Sequence, residues 1–467
     1  MQDFTIRWVV ETLNAPIVAD SAVALHGVVS GVSIDTRTIQ PGDLFFALKG
    51  EHSDGHEYVR TAFEKGAIAA VVSDTVVDAG GRQIRVPDTL RAFGDLAGAY
   101  RRQFNIPVVG VTGSVGKTST KEMIAAVLRT RYNTLANEKN FNNEIGVPLT
   151  LFQLDKSHEA AVIEMGMRGL GEIDRLAEIA APTIGLITNI GYSHIERLGS
   201  QENILRAKAE LYQRLPQDGV AIVPADSEFY RGLLKRVPAG VRRITFSVIN
   251  EVFSDFRLID ALLNEYHVVA DGKDFKMTMQ SIGAHVIANA LAALAVASVL
   301  NINLAEAILT LEAWQGAAGR MTVRWGRGDV DILDDCYNAG PESMEAALMT
   351  LRNFPAKRRV AVLGDMRELG DFAAEAHTRI GRIAAESNLQ MLITVGDLAR
   401  GIAASAIATG LITAGQTHHF DTSEAAAEQI ERLTAPLNAV LVKGSRAMQM
   451  EKIVAELTGE KENTPHA

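Results

Sequence analysis

Residues 108–120, VVGVTGSVGKTST, lead from a run of β-forming residues through a glycine-rich turn to a Gly-Lys-Thr triplet. Residues 121–131, which follow, have the composition of a helix, so the stretch predicts a strand, a loop and a helix in succession. In that order the backbone N–H groups of the loop and the N-terminus of the helix surround an anion. The sequence therefore predicts an α/β fold organised around a triphosphate-binding loop.

The individual residues of this loop have predicted roles. Gly113 and Gly116 allow the backbone to turn its N–H groups inward. Lys117 is placed to reach the β- and γ-phosphates, and the hydroxyl of Thr118 can ligate Mg²⁺. The loop is a variant of the common pattern, because Val111 stands where that pattern has its first glycine. The alternative, a chance glycine-rich turn, is disfavoured by the strand and helix on either side.

The composition limits the class of protein. A chain of 467 residues corresponds to about three domains of ~150 residues each. A hydrophobic content of 47% and a charged content of 22% are ordinary for a folded protein, and the net charge of −10 argues against a partner that is a nucleic acid. The single cysteine, Cys336, excludes an intramolecular disulfide, and the N-terminus has no signal-peptide pattern. We therefore expect a cytoplasmic protein.

One apolar segment has to be tested as a membrane span. Residues 282–300 carry no formal charge and are long enough to cross a bilayer. The segment is rich in alanine, however, and His285 and Asn289 lie four residues apart, hence on one helical face. We interpret it as a core helix with one polar face, and we predict no membrane span.

Three units are predicted along the chain. Residues 1–85 form a small N-terminal α/β domain. Residues 86–315 alternate strands and helices as in a doubly wound, mostly parallel sheet, with antiparallel strands added at 243–248, 255–259, 266–270 and 275–279. The glycine-rich segment 315–320 marks the next boundary. Residues 316–460 form a C-terminal Rossmann-like domain, and residues 461–467 form a disordered polar tail.

Chemistry is expected where the strands of the central sheet end. In a doubly wound sheet, ligands bind at the carboxyl ends of the strands. Glu164 ends the second predicted strand of the central unit and His194 follows the third, so both are candidate Mg²⁺ ligands near the loop. A capping carboxylate and an ordinary loop histidine are the alternatives. Lys208, on the next helix, has the pattern of a solvated helical face.

Polar clusters elsewhere allow two interpretations each. Asn140, Asn142 and Asn143 favour contacts to a polar substrate, although asparagines also tolerate left-handed turns. Arg37, beside Asp35 and Thr36, can form a surface salt bridge or hold a diphosphate, and sequence spacing does not decide between them.

The chain resembles the Mur ligase family, the ADP-forming amino-acid ligases of bacterial cell-wall assembly. The motifs that carry the resemblance run in the family's order over nearly the whole chain. They are DTRTIQPGDLFFALKGEHSDGHEYV (35–59), TGSVGKTST (112–120), FNNEIGVPLTL (141–151), EMGMRGLGEI (164–173), TNIGYSHIERLGSQENI (188–204), AKAEL (207–211), GAHVIANALAA (283–293), GR (319–320), DDCYNAGPESM (334–344), LGDMRELG (363–370) and VKGSR (442–446).

The resemblance implies a residue-by-residue assignment of the site. The residues implied to bind the phosphates of ATP are Gly113, Ser114, Val115, Gly116, Lys117, Thr118 and Ser119. Thr118 and Glu164 are implied to hold one Mg²⁺, and His194 and Lys208 a second, with Lys208 carbamylated. Asn289 is implied to contact adenine. The residues implied to meet the nucleotide from the opposite side are Arg320, Asp335 and Asn338. Lys117, Glu164, His194 and Lys208 are the implied catalytic residues.

The resemblance also implies the substrates. The forms NFNNEIGVP, YNAGP and GDMRELG are most similar to the branch of the family that adds D-alanyl-D-alanine to UDP-N-acetylmuramoyl tripeptide through an acyl phosphate. Thr36 and Arg37 are implied to lie near the UDP moiety, and Ser445 and Arg446 are our candidates for contacts to the dipeptide. Gly340 departs from the family pattern, which has asparagine before the proline. A monomer is expected, with Gly316 and Gly319 as hinge points.

Three alternatives remain open at this stage. The first is another ligase of the same fold, such as a diaminopimelate- or lysine-adding relative or a folylpolyglutamate synthase. The second is a P-loop NTPase switch that acts on a protein partner. The third is a nucleotide-sugar binding module without turnover, for which the combination of Lys117, Glu164 and His194 has no obvious purpose.

Overall fold

The computed structural model describes residues 1–18, 25–50, 53–138, 140–262, 264–316, 318–434 and 438–460. Three large sheets follow one another along the chain, of five, nine and six strands. The predicted fold class, three α/β units with a mostly parallel central sheet that carries added antiparallel strands, is confirmed. The predicted domain boundaries stay predictions, and the predicted tail at 461–467 lies outside the described residues.

The N-terminal unit is a small sheet with the strand order β2-β7-β6-β5-β4. Its strands β4 to β7 are parallel, β2 is antiparallel to β7, and β1 pairs with β3 outside this sheet. Its elements are β1 (Phe4–Thr5), α1 (Ile6–Leu13), β2 (Ile17–Val18), β3 (Val28–Val29), β4 (Gly31–Ser33), β5 (Asp43–Phe46), α2 (Val59–Glu64), β6 (Ala69–Val72) and β7 (Gln83–Arg85).

The central unit holds the predicted loop at the end of its first strand. Strands β8, β10, β11 and β12 are buried along their whole length, which is why each is a continuous apolar run. The elements are α3 (Thr89–Arg101), β8 (Val108–Thr112), α4 (Lys117–Leu128), β9 (Thr134–Ala136), α5 (Gly146–Leu151), β10 (Ala160–Glu164), α6 (Glu172–Ala180), β11 (Ile184–Ile187), α7 (Ile195–Leu198), α8 (Gln201–Gln213), β12 (Val220–Pro224), α9 (Tyr230–Leu234), β13 (Arg242–Ser247), β14 (Phe256–Leu262), β15 (Glu265–Ala270), β16 (Lys273–Thr278), α10 (Ala284–Val299) and α11 (Leu304–Glu312).

The prediction of four added antiparallel strands was wrong for the first of them. The sheet order is β16-β15-β14-β13-β12-β11-β8-β10-β9, and β13 runs parallel to both β12 and β14. In the described part of this sheet, the antiparallel pairs are β14 with β15 and β15 with β16. Ile244 and Phe246 of β13 belong to the same buried cluster as helix α10, so this strand extends the parallel sheet under that helix. Helix α9 connects β12 to β13, and such a helical crossover makes two neighbouring strands parallel.

The predicted core helix with one polar face is present as α10. Most of its residues are buried, and Asn289 is the buried polar residue on it. Among the residues that the structure describes, no helix combines the length and the apolar character that crossing a membrane requires.

The C-terminal unit has the strand order β17-β18-β22-β19-β20-β21, and all neighbours are parallel except the edge strand β17. Sequence reasoning missed β17 and β21, the two edge strands. The elements are β17 (Thr322–Gly326), β18 (Val330–Asp334), α12 (Pro341–Asn353), β19 (Arg358–Gly364), α13 (Ala373–Glu386), β20 (Met391–Val395), α14 (Arg400–Ala408), β21 (Thr417–Phe420), α15 (Ser423–Leu433), β22 (Asn438–Lys443) and α16 (Glu451–Thr458).

Candidate functional site

A cavity of about 500 Å³ lies between the central and C-terminal units, and both units line it. It brings together most of the predicted site. The predicted residues in its wall are Ser114, Val115, Gly116, Lys117, Thr118, Ser119, Asn140, Asn142, Glu164, Asn289, Arg320, Asp335 and Asn338. The carboxyl ends of β8 and β10 therefore meet the start of the C-terminal unit at one place, as the sheet topology predicts.

Two positions of the loop require glycine on steric grounds. Gly113 and Gly116 have φ angles of 153° and 82°, a region that other residues rarely adopt. A Cβ atom at Gly116 would lie 2.7 Å from Oδ1 of Asn289, so the loop packs directly against helix α10. Asn189 shapes the other side, because its Oδ1 accepts from the backbone N–H groups of Ser114 (3.0 Å) and Val115 (2.9 Å). Sequence reasoning assigned no role to Asn189.

Lys117 turns back onto its own loop. Its Nζ donates to the carbonyl oxygens of Gly113 (2.8 Å) and Ser114 (3.3 Å). Burial lowers the pKa of Lys117, Glu164 opposes that shift, and the positive charge of Arg320 adds to it. These carbonyl oxygens are weak partners for an ammonium group, so a phosphate placed in the loop would be a better one.

Glu164 presents a carboxylate oxygen that lacks a partner. Its Oε1 accepts from Nδ2 of Asn142 at 2.8 Å, whereas Oε2 is buried and has no hydrogen-bond partner among the described residues. Asn137 fixes the backbone here, because its Oδ1 accepts from the N–H of Glu164 (2.9 Å) and its Nδ2 donates to the Glu164 carbonyl (3.0 Å). A buried carboxylate without a donor requires a cation or a donor, and this one lines the same cavity as Thr118.

The donor set at this place fits Mg²⁺. A hydroxyl and a carboxylate are hard oxygen ligands, and Mg²⁺ commonly takes one or two such ligands and fills its other positions with water and phosphate oxygens. Within the described part of the chain, no group of three or more His, Cys, Asp or Glu side chains is arranged to hold a metal ion. A Mg²⁺ ion bound by these residues would therefore take its other ligands from phosphate oxygens and water.

Lys208 and His194 do not line the cavity; they lie behind the loop and beside it. Lys208 is 1% exposed, and its Nζ donates to the carbonyl oxygen of Gly113 at 2.9 Å. Its position contradicts the pattern of a solvated helical face. Burial lowers the pKa of Lys208 well below its usual value, and the charge of Lys117 adds to the shift.

His194 joins the central unit to the C-terminal unit. It has a φ of 63° at the start of α7, and its Nδ1 lies 3.0 Å from Oε2 of Glu368. Burial lowers the pKa of His194 to about 4, and the cations Lys208 and Lys117 contribute to this. Glu368 is largely exposed, so its carboxylate is well solvated and does not offset these effects. His194 is therefore a neutral imidazole at pH 7, the form that ligates metals.

The polar face of α10 lines the cavity through His285 and Asn289. Oδ1 of Asn289 accepts from Oγ1 of Thr120 at 3.0 Å, which orients the amide. Nδ1 of His285 is buried and lacks a hydrogen-bond partner in the part of the chain that the structure describes. Burial lowers the pKa of His285, so the imidazole is neutral. The sequence placed His285 on this face but did not assign it to the site.

The C-terminal unit contributes a buried ion pair that sequence reasoning missed. Nζ of Lys443 lies 2.6 Å from Oδ2 of Asp335 and 2.9 Å from the carbonyl oxygen of Asn338. Lys443 is 2% exposed and follows the apolar residues of β22. Its place at the end of an apolar strand is the sequence feature that could have identified it as a site residue. Arg320 stacks on the Tyr337 ring at 4.1 Å from its centre and reaches Oγ1 of Thr118 at 3.2 Å.

Three predicted contact residues have structural partners and do not line the cavity. Oδ1 of Asn143 accepts from the N–H groups of residues 145 and 146 and so begins helix α5. Ser445 is buried and accepts from the N–H of Arg367 at 2.9 Å. Arg446 pairs with Glu451 at 2.7 Å. Their contacts to substrate stay predictions.

Arg37 and Thr36 also lie outside the cavity wall. The guanidinium of Arg37 makes three hydrogen bonds to the carboxylate of Asp35, and its side chain is 87% exposed. The carbonyl oxygen of Thr36 accepts from Nζ of Lys65 at 2.7 Å. The surface salt bridge, one of the two sequence interpretations, is thus formed in the structure, and the contact to UDP stays a prediction.

Profiles of known families match three parts of the chain. Residues 28–101 match the profile described as Mur ligase family, catalytic domain, and residues 111–297 match the Mur ligase middle domain. Residues 319–446 match the profile described as Mur ligase, glutamate ligase domain. The three matches lie in the same order as the three sheets.

Individual relatives match over nearly the whole length. A UDP-N-acetylmuramoyl-tripeptide--D-alanyl-D-alanine ligase of Synechocystis sp. is 38% identical over 437 residues, 92% of each chain, and the Bacillus subtilis enzyme of the same name is 35% identical over 92% of this chain and 93% of its own. Among solved structures, MurF from Acinetobacter baumannii has a TM-score of 0.90 at 31% identity and covers 98% of this chain and 100% of its own. MurF ligase from Thermotoga maritima in complex with ADP has a TM-score of 0.82 at 27% identity, over 92% and 97%.

Proposed function

This chain belongs to the Mur ligase family, and we propose that it joins D-alanyl-D-alanine to the terminal carboxylate of UDP-N-acetylmuramoyl tripeptide while ATP is converted to ADP and phosphate. The observation that carries the proposal is the cavity in which the phosphate loop, Glu164 and the C-terminal residues Arg320 and Asp335 meet. The relatives that bear this name over more than nine-tenths of the chain support it.

The cavity supports an assignment for ATP. The N–H groups of the loop, Gly113 to Ser119, would hold the phosphates together with Lys117, which would leave its loop carbonyls for a stronger anionic partner. Asn289 would contact adenine from the face of α10. Arg320, Asp335 and Asn338 would close on the nucleotide from the C-terminal unit.

Two Mg²⁺ positions follow from the proposal. Thr118 and Glu164 would hold the first, which the unpartnered Oε2 of Glu164 supports. His194 and Lys208 would hold the second, with Lys208 as a carbamate, because a carbamate turns the lysine into an anionic oxygen ligand. Only a neutral amine can form it, and burial provides one by lowering the pKa of Lys208. Bound at these positions, Mg²⁺ supplies charge neutralisation between the two anionic reactants.

The reaction has two steps, each with a demand on the protein. In the first, the carboxylate of the tripeptide attacks the γ-phosphorus, which forms an acyl phosphate and releases ADP. Two anions approach one another here, so the positive charge of Lys117 stabilises the transition state. In the second, the amine of the dipeptide attacks the acyl carbon and inorganic phosphate leaves with the electron pair of the C–O bond.

The acyl phosphate has to be kept from water between the two steps. Contacts across the seam, the boundary between the central and C-terminal units, would exclude water. The N–H of Tyr192 donates to Glu342 at 2.8 Å, and His194 lies against Glu368. Gly316 and Gly319, with φ angles of 85° and 69°, are the proposed hinge points between the central unit, 86–315, and the C-terminal unit, 316–460.

Residues for the UDP moiety and for the peptide substrates are also part of the proposal. Thr36 and Arg37 of the N-terminal domain, residues 1–85, would contact the UDP moiety once Arg37 exchanges Asp35 for a diphosphate. The residues proposed for the peptide substrates are Asn140, Asn142, Asn143, Ser445 and Arg446. We also propose that the protein is a monomer that works in the cytoplasm, where ATP is supplied.

A screen of amine substrates tests the proposal against its alternatives. Purified protein with ATP and Mg²⁺ is given UDP-N-acetylmuramoyl tripeptide with D-alanyl-D-alanine, UDP-N-acetylmuramoyl dipeptide with diaminopimelate or lysine, or a folate with glutamate, and the product is identified by mass. We expect an amide product with D-alanyl-D-alanine. A product with one of the other amines would assign the chain to a different ligase of this fold, and ADP formation that needs no amine would favour a P-loop NTPase switch.

A further inference from the structure

Glu342 is a cavity residue that the assignments above use only as a seam contact. It lies in the first turn of α12, in the C-terminal unit, and lines the cavity. Its Oε1 accepts from the N–H of Tyr192, across the seam, at 2.8 Å. A Cβ atom at Gly191 would come within 2.6 Å of Oε1, so a larger residue there would displace this carboxylate from its position.

The second oxygen of Glu342 has no such partner. Oε2 is buried, and none of the described residues gives it a hydrogen bond. Burial raises the pKa of Glu342. Its own N–H, that of Tyr192 and the charge of Arg379 counteract the shift, and the charge of Glu345 adds to it. A buried carboxylate oxygen without a donor is costly, which indicates that a donor or a cation is supplied by something outside the chain.

The other carboxylates of the cavity are engaged or already assigned. Asp335 pairs with Lys443, and Asp226 accepts from the N–H of Val248 at 2.8 Å. Glu164 accepts from Asn142, and its free oxygen is assigned to Mg²⁺. Glu342 is thus the carboxylate of the wall, among the described residues, whose free oxygen no assignment explains.

We propose that Glu342 receives the ammonium group of the incoming amine and removes the proton that makes it a nucleophile. The inference rests on the proposed function, because it concerns the amine of that reaction. Gly191, which packs against Glu342, donates its N–H to Oγ of Ser114 at 2.8 Å. Gly191 therefore lies between the carboxylate of Glu342 and the phosphate loop, where the acyl phosphate would form.

The proton balance is complete with the groups named. The ammonium transfers one proton to Glu342, which yields a neutral amine and a carboxylic acid. The amine forms the C–N bond, and the C–O bond to phosphate breaks with its electron pair on the leaving phosphate. The second proton leaves the nitrogen with that phosphate, and Glu342 returns its own to solvent when the units open. Burial that raises the pKa of Glu342 brings it closer to the range useful for a general base.

The test separates the charge of Glu342 from its contact across the seam. Glu342→Gln keeps an oxygen for the N–H of Tyr192 but has no negative charge. We expect its kcat to fall, because the base is missing, and its KM for D-alanyl-D-alanine to rise about tenfold or more through the loss of one charge-assisted hydrogen bond. The KM values for ATP and UDP-tripeptide should be unchanged. The acid limb of the pH profile of kcat/KM for the dipeptide should also disappear, and Glu342→Asp should recover part of the activity.

The matched control is Glu375→Gln on helix α13, at an exposed position whose charge is not among the groups that shift the pKa of Glu342, and it should behave as wild type. Unchanged dipeptide kinetics in Glu342→Gln, beside a wild type that uses the dipeptide, would overturn the inference and leave the proposed function intact. Equal increases of KM for all three substrates would also overturn it, because Glu342 would then act only at the seam. A wild type that does not use the dipeptide would reject the proposed function itself.

Discussion

Lys117 and Lys208 donate to the same acceptor, the carbonyl oxygen of Gly113, at 2.8 and 2.9 Å. One carbonyl oxygen cannot neutralise two ammonium groups, and none of the described carboxylates makes a hydrogen bond to either lysine. Lys208 is the more deeply buried of the two, and the charge of Lys117 helps to lower its pKa. The loop therefore holds one lysine ready for an anion and a second in a state that favours the neutral amine.

Replacing Lys117 by alanine should abolish ADP formation and leave the fold intact. The expected loss in kcat is at least about a hundredfold, the usual effect of removing one group that stabilises transition-state charge. Circular dichroism and the thermal midpoint check the fold, and Lys156→Ala, at an exposed position, is the control. Turnover at the wild-type rate would reject the assignment of the phosphate loop.

Lys208 makes the stability depend on pH. Its pKa is lowered in the folded state, so between that value and 10.5 the unfolded chain binds a proton that the folded chain does not. Stability therefore rises with pH through this window. In Lys208→Met that contribution is absent, so the free energy of unfolding of the wild type should gain on that of the variant as the pH is raised from neutral. Parallel curves from denaturant titrations would contradict a lowered pKa of Lys208 in the folded state.

Glu368 should tune His194 as a metal ligand. Because burial lowers the pKa of His194 to about 4, the imidazole is neutral at pH 7, and a proton on Nδ1 directed at Glu368 leaves Nε2 free to bind a metal. Glu368→Ala should raise the Mg²⁺ concentration that gives half-maximal activity by about tenfold, as for other partners of metal-bound histidines. Glu375→Ala, at an exposed position on the next helix, is the control, and an unchanged Mg²⁺ dependence would separate His194 from the metal.

The ion pair of Lys443 and Asp335 should matter for folding as well as for nucleotide binding. Lys443→Met leaves the carboxylate of Asp335, which is 14% exposed, without its cation. The loss of one partner destabilises a fully buried pair by about 3–5 kcal/mol, and we expect a smaller loss at this partly exposed site. The double variant Lys443→Met with Asp335→Asn should recover part of that loss, since it removes both charges. Urea denaturation measures both, and an unchanged midpoint in the single variant would mean that water reaches Asp335.

The sequence predicted what local pattern encodes. The phosphate loop has a fixed order of glycines, lysine and threonine, and Glu164 ends an apolar strand whose neighbour carries that loop. The rule that strand ends share one edge of a sheet then placed both at one site. The direction of β13 follows from its connection and not from its own residues, because helix α9 crosses over from β12 to β13 and the two strands therefore run parallel.

The missed residues act through partners that are distant in the chain. Glu342 touches Tyr192 and Lys443 touches Asp335, and in the sequence each has the pattern of an ordinary charge next to a helix or strand end. Asn189 fills the loop from the neighbouring strand end, and only the fold shows that its amide oxygen faces the N–H groups of Ser114 and Val115. The edge strand β21, Thr417–Phe420, lacks an apolar run because it is only partly buried.

The most direct measurement is coupled ADP release from UDP-N-acetylmuramoyl tripeptide, with and without D-alanyl-D-alanine. A ligase that forms an acyl phosphate in this cavity should release one ADP for each dipeptide joined, and only when both substrates and Mg²⁺ are present. The account is contradicted if ADP is released at the same rate without the dipeptide, or if the complete mixture yields none.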